Sequence, residues 1–207
     1  MSFFNSVIAP RLFPSILWHT GSRSVHLTFD DGPHPEATVR ALEVLQRRKV
    51  QATFFFLGSN VQKYPEIASE VRHAGHDIGN HSLSHTSLFL KPSAVQRAQI
   101  GGGARAIEEA VGVRPILFRP PFGYFDHQTH RAAKAEGQTM VMWSIDPHDY
   151  LSTDSHRITD AVSRQIRAGS IVLLHDNDLT SPVIARSLDE ILQRLIDRGF
   201  TFSRLSL

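Results

Sequence analysis

Ser24-Val25-His26-Leu27-Thr28-Phe29-Asp30-Asp31-Gly32-Pro33 is a largely apolar run that stops abruptly at two adjacent carboxylates and a Gly-Pro turn. A run of this kind, bounded by turn residues, is predicted to be a buried strand. Outward from it, comparable runs occur at Ala52–Leu57, Asp77–Asn80, Ile116–Arg119, Thr139–Ile145, Ser170–Leu174 and Thr201–Leu205, which with Ser24–Phe29 makes seven candidate strands. Between them, apolar spacing near three and four predicts six helices, over Ala37–Arg48, Pro65–Ala74, Ser93–Val111, His127–Glu136, Ile158–Ala168 and Val183–Arg198. Gly75, Gly112, Gly137 and Gly169 stand where left-handed C-caps are expected, and Gly199 repeats the pattern after the last helix. Strict strand–helix alternation predicts an α/β chain with a parallel sheet and helical crossovers, either doubly wound or an incomplete (β/α) barrel.

The polar residues are not scattered through this frame. Asp30 and Asp31 follow the first strand, His81 and His85 the third, Arg119 ends the fourth, Asp146 and Asp149 follow the fifth, and His175 and Asp176 the sixth. The carboxyl ends of parallel strands converge on one face, where barrel and open-sheet active sites are built.

The chain has 207 residues with 41% hydrophobic content, enough for one substantial core, so a single domain is expected. Its 22 basic residues nearly balance 20 acidic ones, with no Lys/Arg block, which argues against nucleic acid as a partner. The absence of cysteine excludes thiolate catalysis, disulfides and sulfur-ligated zinc. The apolar start, MSFFNSVIAPRLFPSILW, lacks a basic leader, is interrupted by Pro10, Arg11 and Pro14, and is too short to span a bilayer. Residues 1–24 are therefore expected to pack on a domain of residues 25–207, with no stable membrane insertion. Compartment is unassigned on this reading: cytoplasm is the default, and the cell envelope or secretion stays open.

Four constellations carry chemistry. In Asp30-Asp31-Gly32-Pro33 both carboxylates can reach one site only if the backbone bends just after them, although a lone Asp-Asp-Gly-Pro is more simply a solvated turn. In His81-Ser82-Leu83-Ser84-His85, histidines four apart on one helical turn would share a face and could present two nitrogens to one ion. Asp31, His81 and His85 together would be three N/O ligands with open positions, a catalytic rather than a structural set. Zinc is the default expectation, with cobalt or another divalent ion also compatible. Arg119-Pro120-Pro121-Phe122-Gly123 offers an Arg that can hold a carboxylate by a two-pronged bond, and Leu173-Leu174-His175-Asp176 a His that can titrate near neutral pH. Taken singly, Arg119 is as well read as a fold-stabilising ion pair and His175 as a satisfied core-edge histidine.

Thr28–Pro33, His81–His85, Arg119–Gly123 and Leu173–Asp176, in that order, resemble the signature motifs of the polysaccharide deacetylases with NodB homology, carbohydrate esterase family four. The resemblance runs from about Val25 to Leu207 and implies a distorted (β/α) barrel of seven or so strands. It implies Asp30 as catalytic base, Asp31, His81 and His85 as metal ligands, His175 as general acid and Arg119 as the residue that orients the base. Trp143-Ser144-Ile145-Asp146-Pro147-His148-Asp149-Tyr150 is similar to the remaining motif, with Asp149 tuning the acid histidine. Phe122, Trp143, Leu173 and Tyr150 are then expected to contact substrate. The family usually has Tyr where this chain has Phe122 and Trp where it has Tyr150, and the backbone N–H of Phe122 could still serve an oxyanion.

The implied activity is hydrolytic removal of N-acetyl, or O-acetyl, groups from an acetylated amino-sugar polymer or oligosaccharide. Peptidoglycan, chitin oligomers, other N-acetylglucosamine polymers and acetylated xylan are all compatible, and no protein partner is expected. Two other readings are a small-molecule amidase on the same scaffold and a catalytically silent carbohydrate-binding domain. The silent reading has no reason to retain Asp30, Asp31, both histidines, Arg119 and His175 together.

Overall fold

The computed structural model describes residues 13–205. Six parallel strands, β1 (His26–Asp30), β2 (Thr53–Phe56), β3 (Asp77–Asn80), β4 (Leu117–Phe118), β5 (Thr139–Met140) and β6 (Ile171–His175), form one sheet in the order β5-β4-β3-β2-β1-β6. Seven helices flank it: α1 (Ala37–Arg48), α2 (Gly58–Lys63), α3 (Pro65–His73), α4 (Ser93–Val111), α5 (His127–Ala135), α6 (Ser155–Gln165) and α7 (Ile184–Asp197). The sheet curls until its edges approach. Ile145 bridges Val172 in parallel, with Leu173 N donating to Ile145 O at 2.9 Å and Ser144 N to Ile171 O at 3.0 Å. This is a distorted (β/α) barrel, not a doubly wound sheet.

Two expected strands fall short, each for a physical reason. Of Thr139–Ile145, only Thr139 and Met140 form a strand; Val141 N still donates to Phe118 O at 2.8 Å, but the carbonyls of Val141 and Met142 turn to the buried Arg119 side chain at 3.3 and 2.9 Å. Thr201–Leu205 touches the sheet through a single bridge, Phe202 to Val25, and its Leu205 N–H goes to the Thr53 hydroxyl at 2.9 Å instead of a strand. The helix Gly58–Lys63 was not expected from its Gly-Ser-Asn start. Tertiary bonds from Gly58 N to Ser82 O at 2.9 Å and Ser59 N to Leu83 O at 2.8 Å secure that start. α6 begins at Ser155, three residues ahead of expectation, because the Asp154 carboxylate caps it by accepting from His156 N and Arg157 N.

Alternation along the strands divides the interior into two clusters. Leu27, Phe29, Phe54, Phe56, Val172 and Leu174 face the helices, where α7 contributes Ile184, Leu188, Ile191, Leu192 and Leu195 at helical spacing. Phe55, Ile171 and Leu173 point the other way, into a second cluster with Phe118, Met142 and Trp143. Thr28 and Asp30 share strand parity, and both reach Arg119 on that inner side. Of the N-terminal segment, residues 1–12 lie outside the described residues. Ile16 and Trp18 are buried in the second cluster, and Leu17 pairs with Val141. None of the described helices is long and apolar enough to cross a membrane.

α4 carries Gly101-Gly102-Gly103 in mid-helix, where glycine is intrinsically unfavourable. A Cβ on Gly103 would lie 2.3 Å from Asn80 Oδ1 and 2.7 Å from the Ser82 carbonyl, so this helix can press against the end of β3 only as glycine. All five glycines expected near helix ends have positive φ. Gly169, however, closes a turn four residues after α6 ends rather than capping it.

Phe54 is fully buried and stacks on Phe29 with centroids 4.8 Å apart. Phe54→Ala is expected to lower unfolding free energy by about 3–5 kcal/mol, read from the midpoint of a urea transition at unchanged m-value.

Candidate active site

β1, β3, β4 and β6 end at one mouth, and the buried Arg119 joins two of them. Its guanidinium has no solvent exposure, and Nη1 donates to Asp30 Oδ1 at 2.7 Å and to Thr28 Oγ1 at 2.8 Å. Its other hydrogen bonds go to main-chain carbonyls, so Asp30 receives one prong of Arg119 and not the expected two. The guanidinium lies 4.1 Å from the Phe55 ring centroid and 5.6 Å from that of Trp143. Burial raises the Asp30 pKa, and the Arg119 charge and hydrogen bond oppose the rise.

The next residue faces a different group. Asp31 has φ 83°, so the bend begins at Asp31 itself, ahead of Gly32 and Pro33. This left-handed backbone turns the Asp31 carboxylate towards β3. Asp31 Oδ1 lies 3.6 Å from His81 Nε2 and 3.2 Å from His85 Nε2. His81 and His85 are not on a helical turn, as their spacing had suggested. Ser82 and His85 have φ of 73° and 48°, and the loop between them is tied to α2 and α4 by main-chain and Gln99 hydrogen bonds. The rings nevertheless meet, with centroids 5.2 Å apart.

These three donors fit a divalent ion. Their ligand atoms lie within 4.8 Å of one another. His81 Nδ1 is 2.8 Å from Arg119 O, an acceptor only, so the proton sits on Nδ1 and Nε2 presents a lone pair. Burial holds the His81 imidazole neutral, with its pKa down at about 3. Asp31 Oδ1 is buried and makes no hydrogen bond. A buried lone pair facing a buried, unsatisfied carboxylate oxygen is an arrangement that a cation reconciles.

His175 at the end of β6 has the opposite character. Asp149 grips it twice, Oδ1 to His175 Nδ1 at 2.7 Å and Oδ2 to the His175 N–H at 2.8 Å. Burial pulls the imidazole pKa down, but the hydrogen bond and charge of Asp149, with the charges of Asp30 and Asp31, outweigh it and place it at about 9. Asp146, by contrast, accepts from the His148 N–H at 2.9 Å and shapes its own loop.

Asp30, Asp31, His81, His85 and His175 open into a cleft of about 380 Å³ walled by Phe122, Trp143, Tyr150 and Leu173. Phe122, in left-handed backbone at φ 60°, sets its ring against His85 with centroids 4.4 Å apart. The Tyr150 ring meets His175 edge-on at 5.1 Å. All eleven site residues singled out from the sequence are therefore at this mouth or directly behind it.

Comparison with known proteins matches residues 19–141 to the polysaccharide deacetylase profile. The chain belongs to the polysaccharide deacetylase family. Peptidoglycan-N-acetylmuramic acid deacetylase PdaC of Bacillus subtilis is 37% identical over 88% of this chain, which spans 38% of that protein's length. The crystal structure of the Bc1960 peptidoglycan N-acetylglucosamine deacetylase, in complex with 4-naphthalen-1-yl-N-oxidanyl-benzamide, superposes with a TM-score of 0.91. It is 30% identical over 97% of this chain and 95% of its own. A carbohydrate esterase family four pseudoenzyme from Bacillus anthracis superposes with a TM-score of 0.85 at 28% identity, covering 93% of this chain and 68% of its own.

Within this polysaccharide deacetylase fold, three polar residues hold the site without having been singled out for it. Asn177 Nδ2 donates to Asp31 Oδ2 at 2.8 Å, leaving Oδ1 to face the histidines. Asn60 Nδ2 donates to the Asp31 carbonyl at 2.7 Å and so fixes the left-handed turn. Asp176, noted only for its strand-end position, is fully buried under the turn, accepting from Gly32 N at 3.0 Å and from Thr38 Oγ1 at 2.5 Å. A Cβ on Gly32 would lie 2.2 Å from Asp176 Oδ2, so that contact explains why residue 32 is glycine. Asn177 follows His175-Asp176 directly, and its place beside a strand-end motif was the one available signal. Asn60 lies on the unexpected α2 and carried none.

His81→Ala is expected to weaken zinc binding by more than the roughly 10- to 100-fold expected for Asn177→Ala, which removes an outer partner but no ligand. Competition with a chromophoric chelator measures both. Equal affinities in the two variants would remove His81 from the ligand set.

Proposed function

We propose that this chain is a divalent-metal-dependent deacetylase that hydrolyses acetamido groups on an acetylated amino-sugar polymer or oligosaccharide, giving acetate and a free amine. The carrying observation is that one mouth holds two histidines with opposite Nδ1 partners, a main-chain carbonyl for His81 beside Asp31 and the Asp149 carboxylate for His175, which favours a neutral ring in the first and a protonated one in the second. Amide hydrolysis needs both a neutral ligand and a proton donor, because an amine leaves poorly unless protonated.

Asp31, His81 and His85 would hold the ion, with zinc proposed from the two-histidine, one-carboxylate set. When bound, it supplies Lewis-acid activation of the acetamide carbonyl and of water. Asp30, whose pKa is raised by burial, accepts the proton of the attacking water, and Arg119 holds it in one rotamer. The N–H of Phe122, a residue of the cleft wall, makes no hydrogen bond to a described residue and would donate to the developing oxyanion. His175 gives its proton to the departing nitrogen, and Asp149 stabilises the imidazolium beforehand. Trp143, Leu173, Tyr150 and Phe122 shape the wall against which the sugar and its acetyl group rest.

Family membership alone does not secure activity, since the Bacillus anthracis relative is a pseudoenzyme of the same fold. What supports activity here is that base, ligand set and acid line one cleft, with the orienting Arg119 buried directly behind Asp30. Names of relatives that act on peptidoglycan support that polymer as the first substrate to test.

Acetate release from peptidoglycan, chitin oligomers and acetylated xylan should be abolished by chelation and restored by zinc or cobalt. Asp30→Asn should cut kcat by at least about 10²-fold while leaving zinc bound, since it removes a base but no ligand. Full turnover by a demonstrably metal-free preparation would overturn the metal assignment.

The pH profile tests the acid. The raised His175 pKa means the donor is protonated below it and is lost as pH rises through about 9, so activity should fall on that alkaline limb. Asp149→Asn removes the hydrogen-bonding charge that raises it, and the limb should move to lower pH. An unmoved limb in Asp149→Asn would mean that it reports another group.

A further inference from the structure

A second cavity of about 380 Å³ adjoins the cleft and shares two of its walls, Trp143 and Asp146. It lies between the Asp146–Ser152 loop and α6, and its volume is in the range of small-ligand sites, about 300–1,000 Å³. Trp143, Pro147 and Leu151 give it apolar surface, and Ser144, Ser152 and Gln165 bring hydrogen-bonding groups. That combination of a flat apolar wall and polar edges suits a pyranose ring.

Arg157, on the first turn of α6, lines this cavity, is exposed, and makes no ion pair with any described residue. The other arginines within α6 and α7 differ. Arg164 pairs with Asp160, Arg186 with Glu190 and Arg194 with Asp160. The other ionisable groups in the lining are Asp146, whose Oδ1 already takes the His148 N–H at 2.9 Å, and His148 itself. The first-turn carboxylate, Asp154, is turned to the helix N-terminus and accepts from His156 N and Arg157 N. Arg157 thus keeps its fork of donors free of every described residue, and a guanidinium fork fits a carboxylate.

We propose that this cavity is a subsite for a sugar next to the one being deacetylated, and that Arg157 binds a carboxylate carried by that sugar. The proposal rests on the deacetylase reading and narrows its substrate to an anionic glycan. The carboxylate could belong to a lactyl ether or to a uronic acid. Both offer the same two oxygens, and they differ in reach from the ring.

The test uses the zinc-loaded protein and four tetrasaccharides of equal length: neutral N-acetylglucosamine, an alternating lactyl-ether glycan without peptide, the same glycan with its carboxyl converted to the amide, and one carrying uronic acid. Binding is measured by calorimetry on the Asp30→Asn protein, and turnover on the parent. A charge-assisted pair at a partly exposed site should favour a carboxylate glycan about ten-fold over the neutral one. Amidation should erase that preference, as should Arg157→Gln in the same background. Arg157→Lys should restore part of it, since the charge returns without the fork. Preference for the lactyl or the uronic glycan identifies the source. No preference in the parent, or one that survives Arg157→Gln, overturns the subsite. If no glycan loses acetate, the deacetylase reading falls, and the calorimetric preference still decides whether Arg157 reads a carboxylate.

Discussion

The buried ion pair between Arg119 and Asp30 is the constraint around which the barrel mouth is arranged. Placing a guanidinium where solvent has no access is costly unless its donors are satisfied, and here they reach Asp30, Thr28, Val141 and Met142. Those four residues belong to β1 and to the segment that leaves β5. One side chain therefore takes the Val141 and Met142 carbonyls, while their N–H groups go to Phe118 O and Leu17 O, where the segment turns towards β6. The same contact fixes the rotamer of Asp30 and limits how far burial raises its pKa. Fold and chemistry meet in this pair, because replacing Arg119 by an apolar residue would leave Asp30 buried without its charge partner.

Around that pair, environment separates groups of one kind into different roles. Buried His81 and partly exposed His175 both stand at strand ends, yet the first is held neutral at about 3 and the second charged at about 9. The difference lies in the partner of Nδ1: a carbonyl, Arg119 O, for His81 and a carboxylate, Asp149 Oδ1, for His175. The paired carboxylates Asp30 and Asp31 separate likewise, because consecutive residues of a strand point apart and only a left-handed Asp31 brings both to the mouth. Titratable groups driven apart in this way are what permits acid and base to act in one active state.

Much of this was legible in the sequence, and the parts that were not share a cause. Strand ends announce themselves where apolar runs stop at Asp30, Asn80, Arg119 and His175, and parallel topology then gathers them without further information. Local spacing misled at His81–His85, where the interval of four suggested a helical turn and an irregular loop with two left-handed residues does the same work. It misled again at Thr201–Leu205, whose strand-like composition serves burial of Leu205 and a single bridge to Val25, just ahead of β1. Gly58–Lys63 is helical because Ser82 and Leu83 hold its first N–H groups, a tertiary fact with no local signature. Asn60 and Asn177 act by holding Asp31, and an asparagine in a loop looks the same whether it braces a ligand or faces water.

The distribution of backbone strain separates the scaffold from the site it carries. Of the seven non-glycine residues with positive φ among the described residues, Asp31, Ser82, His85, Phe122 and His148 lie on the loops at the mouth, and Lys49 and Leu90 lie elsewhere. Each such residue costs of order 1–3 kcal/mol and persists only where its surroundings over-determine it. Those surroundings are visible for Asp31, held by Asn60 on its carbonyl and Asn177 on its carboxylate, with Asp176 bracing the glycine that follows. They are visible for Ser82 too, whose carbonyl and N–H are taken by Gly58 and Asn80. The residues that aim the functional groups are thus the ones the backbone would not adopt unaided. A barrel of this kind can therefore keep its fold while a few loop contacts are lost, and with them the geometry that makes the mouth reactive.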